Sequence, residues 1–272
     1  MPRILASLTP LSRPAVFLTL LLILAASASA TAPSEKTIYN FQAGNDGAGP
    51  SGNLVADSAG NLYGTTADGG GSAACQNGGT QIQGCGTIFE LSPPSAGHGT
   101  WTETVLYRFQ GGTDGSNPNG GLVRDAAGNL YGIATGNSTI CICDVIFELS
   151  PQSDGTWVQS TLFTTYYPTD YEPIGALALD TAGNLYGFTS ATDNCGGIFQ
   201  LSPPVSGGYP WTETLIYQFP SNRSDLCASA GPMIVDKFGN LYGTTQGVVG
   251  GPPPVLFSNS GRQLLRGSHG PW

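Results

Sequence analysis

Apolar and polar positions along this chain fall into short alternating runs, and the same runs recur. One segment occurs four times: GNLVADSAGNLYGTT at 52–66, GGLVRDAAGNLYGIA at 120–134, GALALDTAGNLYGFT at 175–189 and GPMIVDKFGNLYGTT at 231–245. Its acidic residues Asp57, Asp125, Asp180 and Asp236 lie 68, 55 and 56 residues apart. Each copy predicts a hairpin. A short apolar strand ends at Asp, two variable residues and a Gly make the turn, and Asn-Leu-Tyr-Gly begins the return strand. Asp accepts backbone N–H bonds within such a turn, and Gly supplies positive φ without steric cost. These four Asp residues are therefore expected to be turn formers, in preference to calcium ligands or catalytic acids.

Two further strands complete each unit. GTIFELSPP at 86–94, VIFELSP at 145–151 and GIFQLSPP at 197–204 alternate with the period of 2 of a strand with two different faces, and end at a Pro that cannot donate to a ladder. WTETVLYRF at 101–109, WVQSTLF at 157–163 and WTETLIYQF at 211–219 follow, each opening on Trp. A shorter relative, TIYNF, stands alone at 37–41. The last copy has a third strand only at Val255-Leu256-Phe257. A sheet of four antiparallel strands cannot bury both faces by itself, and stacking equivalent sheets around an axis solves that problem. The expectation is an all-β, β-propeller-like fold of about four blades, with TIYNF completing the last blade from the other end of the chain.

Composition refines this picture. Forty Gly and 20 Pro in 272 residues would suggest disorder if they had no period, but here Gly recurs at set places beside aromatic and β-branched residues. Residues 1–30 are read as a signal peptide. Arg3 and Arg13 precede the uncharged apolar run from Val16 to Ala26, and Ala28-Ser29-Ala30 supplies the small residues of a cleavage site. The run is shorter than the roughly 18 residues of a membrane span, so no membrane insertion is expected after cleavage. The remainder divides into a repeat domain, 31–257, and an unpatterned tail, 258–272. Without Arg3 and Arg13 the chain keeps 7 basic residues against 18 acidic ones, a net charge of −11, which disfavours nucleic acid and anionic membrane surfaces.

The combination GLVxDxxGNLYGTT, GTIFELSP and WTETVLYxF resembles the tandem-repeat GloVer (Gloeo_Verruco) family, the choice-of-anchor repeat proteins of bacterial envelopes, over about residues 37–257. The D-x-x-G-N hairpin is more loosely similar to NHL-type propeller repeats. The resemblance implies an exported bacterial protein with a propeller fold, and it carries no catalytic site onto residues here. Two departures stand out. Members of the family often have more repeats and a C-terminal sorting segment, whereas this chain reads SNSGRQLLRGSHGPW after Phe257. Truncation of a longer gene and a compact four-blade ring both fit that end.

Six Cys in an exported chain favour disulfides over metal or redox chemistry. Cys75 and Cys85 share one loop and are the natural pair. Cys195 and Cys227 lie on loops expected to emerge on one face. Cys141 and Cys143 remain, and a Cys-x-Cys bridge is strained. The two His residues, His98 and His269, stand beside no Cys cluster.

Candidate sites lie in the loops that join the units. NDGAGPSG at 45–52 and TDGSNPNG at 113–120 offer Asp46, Asp114, Asn117 and Asn119 to a calcium ion, but they lack the D-x-D-x-D-G spacing, and Asx turns account for their composition. TTYYPTDYEP at 164–173 places Tyr166, Tyr167 and Tyr171 near Asp170 and Glu172. Aromatic rings beside carboxylates suit a carbohydrate or peptide, and carboxylates two residues apart suit acid–base work; the bland alternative is that the tyrosines cover the blade core. DGGG at 68–71 precedes no helix and is no phosphate loop. With no nucleophile elbow, metal-binding His pair or dinucleotide fingerprint, the reading calls for no cofactor and no catalytic residue. The leading expectation is a secreted, non-catalytic binding protein for a glycan, peptide or envelope component. A polysaccharide lyase or glycosidase on a propeller scaffold, or a structural repeat fragment without a ligand, are the alternatives.

Overall fold

The computed structural model describes residues 35–75, 84–95, 99–135, 144–165, 172–190, 196–205, 207–208, 210–219 and 231–244, and the backbone of 256–259 and 264–266. Residues 1–36 and 37–272 form separate units, and every strand belongs to the second.

All regular structure among the described residues is β. The first sheet has the order β1 (Ala48–Ala56), β2 (Leu62–Asp68), β3 (Thr87–Ser92), β4 (Thr102–Arg108). The second contains β5 (Ser116–Pro118) and β6 (Val123–Arg124), both paired with β7 (Leu130–Thr135), then β8 (Val145–Pro151) and β9 (Trp157–Thr164). The third runs β10 (Glu172–Leu179), β11 (Leu185–Ser190), β12 (Gly197–Ser202), β13 (Thr212–Gln218), and the fourth runs β14 (Ile234–Val235), β15 (Leu241–Thr244), β16 (Leu256–Asn259), β17 (Leu264–Arg266). Every pairing within them is antiparallel. The protein is a β-propeller-like repeat of four sheets, as the period implies.

Successive sheets bury the same side chains against each other. Tyr63, Ile88 and Phe109 of the first meet Leu122, Leu130, Phe147 and Leu149 of the second. Tyr131, Ile146 and Leu162 of the second meet Leu177, Leu185, Phe199 and Leu201 of the third. Tyr186, Ile198 and Phe219 of the third meet Met233 and Leu241 of the fourth. At the rim of the first two interfaces a hairpin Tyr faces the Trp of the following sheet, Tyr63 with Trp157 at 6.3 Å and Tyr131 with Trp211 at 6.4 Å. This explains why the third strand is buried on both faces: Ile88 points to one neighbour and Phe89 to the other side.

The Gly of Asn-Leu-Tyr-Gly is required by packing. Gly64, Gly132 and Gly187 pair directly across from Phe89, Phe147 and Phe199. A Cβ on any of them would lie 2.6 Å from that ring. The fourth strands carry a further shared device. A bulge falls between Ile88 and Phe89, Ile146 and Phe147, and Ile198 and Phe199 in their pairing with β4, β9 and β13. It places one extra residue, Leu106, Leu162 or Ile216, in the strand, and so shifts the phase that a simple alternation would give.

The ends of the repeat depart from expectation. TIYNF does not complete the last sheet. Residues 37–41 form no strand, and the outer strand of the fourth sheet is β17, from the segment after residue 257. The aromatic packing of TIYNF is nonetheless that of a fourth-strand end. Phe41 meets Phe89 edge-on at 4.9 Å, as Phe109 meets Phe147 at 5.3 Å. The tether that holds it is local, a hydrogen bond from the Tyr39 hydroxyl to Asp46.

Candidate functional site

The hairpin Asp residues have one geometry four times over. Asp57 Oδ1 accepts the backbone N–H groups of Ala59 and Asn61, and its Oδ2 accepts the Asn61 side-chain amide and the Tyr63 hydroxyl. Asp125 takes the corresponding bonds from Asn129 and Tyr131, Asp180 from Ala182, Asn184 and Tyr186, and Asp236 from Phe238, Asn240 and Tyr242. Burial alone would push the carboxyls of Asp57 and Asp180 up, but the bonds from Asn and Tyr outweigh it and hold them below the ordinary 3.8. At Asp236 the Asn240 amide leads the same lowering. Their oxygens are engaged in organising the turn, which explains the Asp, Asn and Tyr of D-x-x-G-N-L-Y.

The loops after TIYNF and β4 repeat a second carboxylate device. Asp46 accepts from the Tyr39 hydroxyl and the backbone N–H groups of Gln42 and Gly44, and Asp114 accepts from Tyr107, Gln110 and Gly112. Both carboxylates close their own loops. Asn117 has φ of 49°, and its backbone N–H donates to the Cys85 carbonyl; Asn119 is exposed. Among the described residues no three His, Cys, Asp or Glu converge as a metal site. The signal for this device was available in the sequence: Y-x-F-Q-x-G-x-D occurs at 39–46 and 107–114.

Cys75 and Cys85 form a disulfide. Gly111, at φ +75°, runs so close to it that a Cβ there would lie 2.7 Å from both sulfurs. Cys141, Cys143, Cys195 and Cys227 lie outside the described residues, as do Tyr166, Tyr167, Asp170 and Tyr171. Glu172 opens β10, where a carboxylate oxygen accepts a 3.3 Å bond from Ser190. In the repeat, Asp170 falls at the place of Asp46 and Asp114, seven residues after Phe163 where those loops have Tyr39 and Tyr107.

A concave feature lies where the first three hairpins face one another. A cavity of about 950 Å³ is lined by Asn53, Leu54 and Val55 of the first sheet, residues 122–127 and Tyr131 of the second, and residues 179–183 of the third. Its wall is mainly apolar, with Asn53 and Thr181 as uncharged polar groups. Its carboxylates are Asp125 and Asp180, already engaged by their own turns. Its one basic residue is Arg124. The position before the hairpin Asp is Ala56, Arg124, Leu179 and Val235 in the four copies, so the repeat is broken there once, by a cation. The Arg124 guanidinium lies 5.9 Å from the centre of the Tyr63 ring in the preceding sheet. Its Nε is buried and has no hydrogen-bond partner. Sequence reasoning passed over Arg124, although alignment of the four copies displays it. The carboxyl that burial and Asp46 push upward, Glu103, stands on β4 and does not line this cavity.

The model of the Gloeobacter/Verrucomicrobia repeat matches residues 30–252. A crystal structure described as a candidate gluconolactonase is similar at 20% identity and a TM-score of 0.41, over 70% of this chain and 53% of that one. This chain therefore spans about half the length of that protein. No curated protein matches significantly.

Proposed function

Because this chain belongs to the Gloeobacter/Verrucomicrobia repeat family, we infer that it is an exported, non-catalytic binding protein that takes a glycan of the envelope or its surroundings into the cavity between its first three hairpins. The observation that carries this reading is the break in the repeat at that cavity. At that position the other copies carry Ala56, Leu179 and Val235, and a cation in an otherwise apolar column of the repeat calls for another use. The volume suits a small ligand, and a mainly apolar wall with a few polar groups suits a sugar with an apolar face and hydroxylated edges. The carboxylates on the wall are committed to their turns, so binding accounts for the arrangement better than acid–base chemistry. Export is supported by the basic, apolar and small-residue order of 1–30, and by the Cys75–Cys85 disulfide, which belongs to an oxidising compartment.

The test is a glycan array probed with the secreted protein and with Ala126→Trp, which fills the cavity from an exposed hairpin position. Hits that disappear in the variant are expected. An empty array, or hits indifferent to the blockage, would sink the reading. Amino-terminal sequencing of the secreted form is expected to begin at Thr31.

A further inference from the structure

We propose that the first and fourth sheets carry the two halves of one more sheet-on-sheet interface, and that a second copy of this chain completes it, the fourth sheet of one molecule stacking on the first sheet of the next. The proposal does not depend on what the cavity binds.

The three interfaces inside the chain show what each half contains. The residue three places before the hairpin Asp is Leu54, Leu122, Leu177 and Met233 in the four copies. Leu122, Leu177 and Met233 are 3% exposed or less, each in a cluster shared with the sheet before it. Leu54, in the first sheet, is 48% exposed. The next residue along serves the other side, and is Val55, Val123, Ala178 and Ile234. The first three pack in the cluster shared with the sheet that follows, whereas Ile234, in the fourth sheet, is 64% exposed. The aromatic rim divides in the same way. Tyr63 faces Trp157 and Tyr131 faces Trp211, while among the described residues Trp101 faces no hairpin Tyr and Tyr242 faces no Trp. Each open half therefore has the residue types that meet the other's inside the chain: Leu and Trp on one, an aliphatic side chain and Tyr on the other. The halves differ, so they match head to tail and not like with like.

Water suits neither half. Stacked repeats hide their apolar faces on one another, and a repeat that ends a stack in solvent carries a polar outer face. Leu54 and Ile234 are aliphatic at those positions, and exposed apolar surface of this kind marks an interaction site. The 37–41 segment is compatible with such a contact. Phe41 meets Phe89 as Phe109 meets Phe147, so the first sheet already holds the end of an outer strand. In the fourth sheet, Phe257 stands opposite Gly243 as Phe89 stands opposite Gly64. The register of β17 stops at Phe257, whereas that of β4 continues past Phe89 to Thr87. The pairing of the fourth sheet thus stops short of the place that 37–41 of the next molecule would take.

The experiment is sedimentation velocity of the full secreted chain from micromolar to millimolar concentration. Leu54→Asp and Ile234→Asp are measured alongside, with Val205→Asp on the exposed loop after β12 as a charge control, and thermal unfolding shows that each variant is folded. The parent and Val205→Asp are expected to gain mass as concentration rises, into a closed ring or a growing row. Leu54→Asp and Ile234→Asp should each stay monomeric. Mixed in equal amounts they should form a dimer and nothing larger, since the mixture keeps one intact half from each. A parent that stays monomeric throughout overturns the proposal, and so would closure of the two sheets within one molecule, which gives that result. Association of either single variant to the extent of the parent, or a mixture that remains monomeric, also overturns it. Ile234 lies outside the cavity lining, so Ile234→Asp should keep the glycan-array hits, and the binding reading and the assembly stand or fall separately.

Discussion

The first and second sheets begin with nearly the same hairpin, GNLVADSAGNLYG in one and GGLVRDAAGNLYG in the other, yet the two are used differently. Both Asp residues bind the same Asn and Tyr partners. Leu122, however, is 1% exposed, whereas its counterpart Leu54 is 48% exposed. Leu122 lies against Tyr63, Ile88 and Phe109 of the sheet before it; on the corresponding side of the first sheet, Phe41 of the 37–41 segment covers Phe89. The hairpin itself is set by contacts within about ten residues, and its burial by which sheet precedes it. The difference also marks where the repeat is free to change. Leu54 and Arg124 both line the cavity, one as an uncovered copy of a core residue and the other as a new residue altogether.

Four measurements would break or sharpen this comparison. Leu122→Ala should cost about 2–5 kcal/mol and Leu54→Ala about 1 kcal/mol or less, read from urea unfolding followed by Trp fluorescence. Equal losses would mean that the first sheet is covered as fully as the second. Replacing Cys75 and Cys85 by Ser, a pair 10 residues apart, should cost about 2–3 kcal/mol through loop entropy; no change in the unfolding midpoint would show that the loop is held by other contacts, such as that with Gly111.

Gly132→Ala puts a Cβ 2.6 Å from the Phe147 ring and 3.1 Å from Leu122, and should cost about 1–3 kcal/mol as overpacking. Gly64→Ala meets Phe89 and Leu54 at 2.6 Å each, but exposed Leu54 can yield, so its loss should be smaller. The reverse order would contradict the contrast between the two interfaces.

The smallest effect concerns pH. Asp57, Asp180 and Asp236 lie below their ordinary 3.8 in the folded chain. The stability they add is full above that value and lost as pH falls through their lower folded values. Tyr63 and Tyr186 are pushed up to about 12, chiefly by burial. Their contribution is intact below the ordinary 10.0 and lost as pH rises through about 12. The urea midpoint should therefore be flat at intermediate pH and fall at both ends. Asp57→Asn should shallow the acid limb, and an unchanged limb would remove the turn carboxylate from the account.

Much of the architecture was legible from the chain because it depends on near neighbours. The D-x-x-G-N turn, the Ile-Phe-Glu-Leu strand and the Trp-led strand each carry their own turn residues or alternation, and the period showed that they recur. The bulge after Leu106 and its equivalents was not legible, since Val-Leu-Tyr reads equally well as an unbroken strand. The pairing of the last sheet escapes the sequence for a related reason. TIYNF has the residues of a fourth strand, but its Tyr39 is bound to Asp46 and its Phe41 to the first sheet, and no local pattern in Leu264–Arg266 announces a strand.

The candidate site divides in the same way. The turn carboxylates could be read as structural from their repetition alone, and Arg124 could have been found as the cation in an otherwise apolar column of the aligned copies. What the sequence by itself determined is the unit: four strands, their turns, and the faces that must be covered. Only the tertiary structure decided which faces are covered and which remain open, that the first three hairpins line one cavity, and that the Arg124 guanidinium lies over Tyr63 of the preceding sheet. Those properties depend on residues some 50 to 130 positions apart, brought together by the stacking of whole sheets, and no short-range pattern encodes such a distance.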